Sequence, residues 1–111
     1  MNINFSGYNE NVVTFETDST DVVMGTPVKM SKSGTVTACE VDDDIIGVAV
    51  NVRNGYAAVQ LSGYIEMPTD EDFTVGRNII VADSLNKVKS GSAGREYLVV
   101  YVDNGVVGFI L

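Results

Sequence analysis

An all-β fold, built as a small barrel or sandwich, is what this sequence predicts, and three observations carry the prediction. Short runs rich in Val, Ile, Thr and Tyr recur between Gly, Asn, Asp and Ser clusters, while helical periodicity is nearly absent. Two Asn-Gly dipeptides, Asn54-Gly55 and Asn104-Gly105, each sit between alternating apolar runs, the strongest short-range signal for a two-residue hairpin. Their tips lie fifty residues apart and the stretches before them align, which predicts an internal repeat.

Nine strands follow in order: Val12–Thr17, Pro27–Ser31, Thr35–Cys39, Ile46–Val52, Ala57–Met67, Ile79–Ala82, Lys87–Ser90, Tyr97–Val102 and Val106–Leu111. Most are rich in β-branched or aromatic residues and are bounded by turn residues. In the first Asn-Gly hairpin the expected pairs are Val52/Ala57, Val50/Val59 and Val48/Leu61 on one face, with Arg53/Tyr56, Asn51/Ala58 and Ala49/Gln60 on the other. The second gives Val102/Val107, Val100/Phe109 and Leu98/Leu111 against Asp103/Val106, Tyr101/Gly108 and Val99/Ile110. Both of its faces are apolar, so both are expected to be covered, by barrel closure or by self-association.

The repeat aligns "GTPVKMS" at 25–31 with "GRNIIVA" at 76–82, placing Val28 and Met30 over Ile79 and Val81. A turn, a short strand, a polar loop and the Asn-Gly hairpin follow each. The domain reading is therefore an N-terminal arm over 1–24, with one strand-like stretch, and a single β domain over 25–111 whose pseudo-repeats span about 25–66 and 76–111. Neither copy is expected to bury its apolar face alone.

At 111 residues the chain has one domain's length, and folding is expected to bury roughly 65% of its extended surface. Its apolar runs are too short for a membrane helix, and residues 1–8 lack the basic start and apolar core of a signal peptide. Fifteen acids against seven bases give a formal charge of −8, which opposes binding to a phosphate backbone. The chain has no histidine and a single cysteine, Cys39. That removes internal disulfides, zinc sites needing several Cys or His ligands, and every Ser-His or Cys-His catalytic pair. The expectation is a protein that is not an enzyme and has no catalytic, cofactor or metal residues, with Cys39 a buried or half-buried packing residue.

Carboxylates, lysines, tyrosines and hydroxyls remain for chemistry, and the carboxylates cluster. Asp42, Asp43 and Asp44, with Glu40, supply oxygens of the type that hard cations take, but they lack the alternation, glycine turn and distal glutamate of a calcium loop. The matching place in the second copy is Ala93, Gly94 and Arg95, so the aspartates read as a solvated loop outside the repeated framework. In "MPTDEDFTVG", Asp70, Glu71 and Asp72 read as an acidic linker, and Thr69 with Asp72 mimics a capping box compatible with one helical turn. Convergence of Asp42–Asp44 with Asp70–Asp72 would make a cation or basic-partner patch. The glycine-bearing "SGSAGRE" at 90–96 lacks the Lys-Ser/Thr ending and following helix of a phosphate cradle and reads as a turn. Tyr56, Tyr64, Tyr97 and Tyr101 would serve either a sugar platform or core packing.

"GTPVKMSKSGTVTACEVDDDIIGVAV", "NGYAAVQLSGYIEMP" and "SAGREYLVVYVDNGVVGFIL" together resemble the small head-decoration and head-fibre proteins of tailed bacteriophages and prophages. The shared pattern is a Gly-x-Pro-Val strand, a Gly turn, a polar loop, a Gly-Val-Ala strand and a strand ending in a glycine, here Gly63. The resemblance covers about Gly25 to Leu111 and rests on structural glycines and alternating valines. It implies a β-rich structural protein made in the bacterial cytoplasm and fixed on the outer face of the major capsid protein shell, often as a homotrimer. The short chain favours decoration over a fibre shaft. A carbohydrate- or host-surface-binding β module displayed on the particle is the alternative.

Overall fold

A computed structural model describes residues 11–18 and 20–111. Over these residues it is all-β, with ten strands: β1 (Asn11–Thr17), β2 (Pro27–Lys32), β3 (Thr35–Ala38), β4 (Gly47–Arg53), β5 (Tyr56–Ser62), β6 (Tyr64–Pro68), β7 (Gly76–Ala82), β8 (Val88–Ser90), β9 (Glu96–Asp103) and β10 (Val106–Ile110). They form two sheets. The first is a closed five-stranded barrel in the order β1-β3-β2-β4-β5, and the second has the order β6-β10-β9-β7-β8.

The stretch Ala57–Met67, expected as one strand, is two. At Gly63 the backbone takes φ 93°, a left-handed conformation open to glycine, and the chain leaves the barrel for the second sheet. The buried Gln60 amide staples this corner, donating to the carbonyl oxygens of Ser62 and Tyr64 at 3.0 Å each. Within the N-terminal 1–24 segment, β1 is a wall of the barrel. It runs antiparallel to β5 and pairs in parallel with β3 through Glu16/Thr35 and Thr17/Val36. Residues 1–10 of the expected arm lie outside the described residues.

Both Asn-Gly hairpins form, and both depart from the simple register at the same distance from the tip. Arg53/Tyr56, Val52/Ala57 and Asn51/Ala58 pair as expected, but a bulge at Val50 then sets Ala49 against Val59 and Val48 against Gln60. In the second hairpin, Asp103/Val106, Val102/Val107 and Tyr101/Gly108 hold, and a bulge at Val100 sets Val99 against Phe109 and Leu98 against Ile110. The expected pairs Val50/Val59, Val48/Leu61, Ala49/Gln60, Val100/Phe109, Leu98/Leu111 and Val99/Ile110 are therefore corrected. An extra residue bends and twists a strand, which strongly curved sheets require.

The bulges decide which side chains reach the core. Val99, Phe109 and Val107 are brought to one face and buried, whereas Leu98 turns outward with 40% of its surface exposed. The expectation that the final hairpin is covered on both faces thus fails within this chain, since Tyr101 beside Gly108 is also exposed. In the first hairpin Ala49 enters the barrel core with Val28, Val36, Ala57 and Val59, and Val48 points the other way. With Ile45, it joins the larger cluster of Met67, Phe73, Ile80, Tyr97, Val99 and Phe109. β4 is covered on both sides, which is why its first three residues read as an unbroken buried run. Of the four residues aligned by the repeat, Val28 and Val81 are buried, Ile79 is half-buried and Met30 is exposed.

Tyr97 locks the two sheets together. Its hydroxyl donates to the Ile45 carbonyl at 2.8 Å, its ring packs 5.4 Å from Phe109, and the Arg95 guanidinium lies 4.9 Å over its outer face.

Candidate functional site

The three aspartates form a clasp between the two sheets. Asp42 sits at φ 73°, a conformation that Asp tolerates better than most residues, and its N–H donates to the Ala82 carbonyl at 2.9 Å. The Ala82 N–H returns a 3.0 Å bond to the Asp43 carbonyl, so the loop is stitched to the end of β7 by backbone. Asp42 Oδ1 then meets Lys89 Nζ on β8 at 2.8 Å. Asp43 turns back to its own sheet, where Oδ2 accepts from Lys29 Nζ at 2.6 Å and from the Glu40 N–H at 2.8 Å. Asp44 lies against Gly94, where an added Cβ would stand 2.5 Å from its Oδ1. The loop keeps its access to water, with the Asp42 side chain 73% exposed, yet Asp42 and Asp43 are also tied into the fold.

The second acidic stretch converges on the same strand. Asp70 takes Lys87 Nζ through both oxygens, at 2.9 and 3.0 Å, and Glu71 Oε2 accepts from the Ser90 N–H at 3.0 Å and its hydroxyl at 2.6 Å. The helical turn that the capping-box pattern at Thr69 allows does not form. Thr69 is buried and bridges Val88, and its Oγ1 accepts from the Glu71 N–H at 3.1 Å, a local turn bond that competes with helix. β8 and its flank are thus held by carboxylates from both stretches, each met by a lysine or serine. Among the described residues no group of three or more Asp, Glu, Cys or His is placed to hold a metal ion.

Electrostatics follow the contacts. The hydrogen bond from Lys29, then that from the Glu40 N–H, hold the Asp43 carboxyl below its usual range, and the same bond raises Lys29. Lys89 is raised by its bond to Asp42. Cys39 is half-buried and donates to the Asp44 carbonyl at 3.6 Å. Burial, helped by the Asp43 charge, pushes its thiol up to about 12.

The remaining candidates separate. In the 90–96 loop, Arg95 is committed to the Tyr97 ring, and the Asp44 carboxylate beside Gly94 has the wrong charge for a phosphate cradle. Tyr97 and Tyr64 are buried, while Tyr56 and Tyr101 are exposed at 50% and 42%. A four-tyrosine sugar platform is therefore not assembled. Sequence reasoning missed that Lys87 and Lys89 gather both acidic stretches. The signal was there, in the period-two spacing of "KVKS" beside two acid runs, but strand partners were needed to use it.

The fold and these contacts define a class, an all-β protein of two packed sheets. Neither a protein-family model nor a curated protein matches the chain.

Proposed function

We propose that this chain is a structural virion protein, a decoration protein that binds the outer face of a tailed-phage capsid shell and stiffens it. The observation that carries the reading is the use made of its ionisable groups. Asp42, Asp43, Asp70 and Glu71, the residues best suited to chemistry by composition, serve as ties within the fold. What the molecule offers outward is a shaped surface on a hairpin scaffold, in keeping with the sequence resemblance.

The two sheets are read as copies of one unit: a strand, a hairpin, a loop and an Asn-Gly hairpin. In support, β1 and β6 each pair with the last strand of their own sheet, and the bridge Thr69/Val88 in the second sheet parallels Thr17/Val36 in the first. The N–H of Thr17 donates to the Gly55 carbonyl at 2.9 Å, and that of Thr69 to the Gly105 carbonyl at 3.0 Å. Read this way, "TDSTDVVMG" at 17–25 matches "TDEDFTVG" at 69–76, and the first unit begins at β1. The same reading has copies of the chain associate, with the outward Leu98 beside Ile110 as the apolar surface.

Co-sedimentation with purified, undecorated capsid shells tests the function. Saturable binding and a raised shell melting temperature are expected. No binding across a range of protein concentrations, with shell stability unchanged, would overturn it.

A further inference from the structure

The turn between β7 and β8 breaks two rules at one residue. Leu85 has φ 58°, a left-handed conformation in which an L side chain crowds its own backbone, and it is 83% exposed, more than any other large apolar side chain among the described residues. Elsewhere the chain solves the same problem with suitable residues. Positive φ falls on seven described glycines and on Asp42, Asn54 and Asn86, all able to occupy it at low cost. Among the described residues Leu85 is the one apolar side chain so placed.

The turn is held in shape around it. The Asp83 N–H donates to the Lys87 carbonyl at 2.8 Å, the Lys87 N–H to the Ser84 carbonyl at 3.2 Å, and the Asp83 carboxylate accepts from the Ser84 N–H at 2.8 Å. Lys87 and Lys89 below it are engaged by Asp70 and Asp42. A strained, rigidly presented and solvated leucine gains nothing inside this chain, and strain of this kind persists where function uses it.

We propose that Leu85 is an anchor, inserted on binding into an apolar socket of the capsid shell subunit. The Asp83 carboxylate at the base of the turn, on a chain of formal charge −8, fits a socket whose rim is basic. The inference rests on the decoration reading and adds to it the point of contact. A buried apolar anchor presented on a rigid turn binds without a large ordering cost.

The test compares the unaltered chain, Leu85→Asn and Leu85→Met for shell binding and for thermal unfolding. Leu85→Asn relieves the backbone and removes exposed apolar surface, so its melting temperature is expected to hold or rise by a few degrees. Its affinity for shells is expected to fall about tenfold to a hundredfold, the worth of one buried leucine. Leu85→Met keeps an apolar side chain of similar volume and is expected to bind within about threefold of the unaltered chain. Equal binding by Leu85→Asn, with the unaltered chain binding shells, would overturn the anchor and leave the decoration reading standing. Lost binding together with a lowered melting temperature would make Leu85 a packing residue and overturn it as well. Failure of the unaltered chain to bind would remove both.

Discussion

Asp42 and Lys89 stand 2.8 Å apart across the boundary between the barrel and the second sheet, one on the acidic loop and the other on β8. Their contact turns a run of aspartates from a candidate cation site into a clasp. Both partners keep access to water, so the pair is of the exposed kind that salt screens. Lys89→Ala is expected to lower the melting temperature slightly at low ionic strength and not at all in molar salt, by calorimetry in both. Adding Ca²⁺ or Mg²⁺ is expected to leave melting unchanged, whereas a bound cation well above its Kd would raise it clearly.

The pH dependence has two sides. Asp43 is held below its ordinary value, so its contribution is present above the unfolded carboxyl range and is lost as pH falls through the lower folded value. Lys29 and Lys89 are raised, so theirs is present below the unfolded lysine range and is lost as pH rises through the higher folded values. Stability is expected to fall below about pH 4 and above about pH 10. Asp43→Asn should flatten the acid step when denaturant midpoints are followed against pH. A variant with an undiminished acid step would show that other carboxylates carry it.

Cys39 is expected to be a slow thiol. With its value near 12 against an ordinary 9.0, the thiolate fraction at pH 8 is lower by roughly a thousandfold. A thiolate of higher pKa is the better nucleophile, which offsets part of that loss, so alkylation by iodoacetamide should be slower than for an unfolded control by at least about tenfold and should accelerate on adding denaturant. Labelling of the folded chain at the control rate would mean that the site is open.

Gly47 opens β4 where it lies against β5. A Cβ there would sit 2.7 Å from Val59 Cγ1 and in collision with the Gln60 carbonyl oxygen, a backbone atom with little room to yield. Gly47→Ala is expected to cost about 2–3 kcal/mol in equilibrium unfolding, the range of core overpacking.

Tyr97→Phe isolates one bond between the sheets. It leaves the ring packed on Phe109 and removes the hydroxyl from the buried Ile45 carbonyl. A loss of about 1–2 kcal/mol is expected from denaturant titration. A neutral result would mean that water takes the place of the hydroxyl.

Much of the fold was legible because strands announce themselves locally. Alternating Val, Ile and Tyr between turn residues located β1 to β4 and β7 to β10 within three residues, and Asn54-Gly55 and Asn104-Gly105 fixed two hairpins and the three pairs nearest each tip. The corner at Gly63 was partly legible, since a lone glycine in a strand pattern marks a bend. The clasp was not. Asp42 meets Lys89 forty-seven positions away, and no local pattern states which strands will be neighbours.

By itself, then, the sequence determined the all-β class, the hairpins and the poverty of catalytic groups, because turn chemistry, side-chain alternation and composition act over a few residues. Tertiary structure decided the rest. The bulges at Val50 and Val100 chose which valines enter the core, and barrel closure recruited β1. Packing of the sheets brought Asp42 to Lys89, and the second sheet's Thr69–Val88 bridge set Asp70 beside Lys87. Those outcomes depend on curvature and on contacts between distant segments, which exist only once the chain has closed on itself.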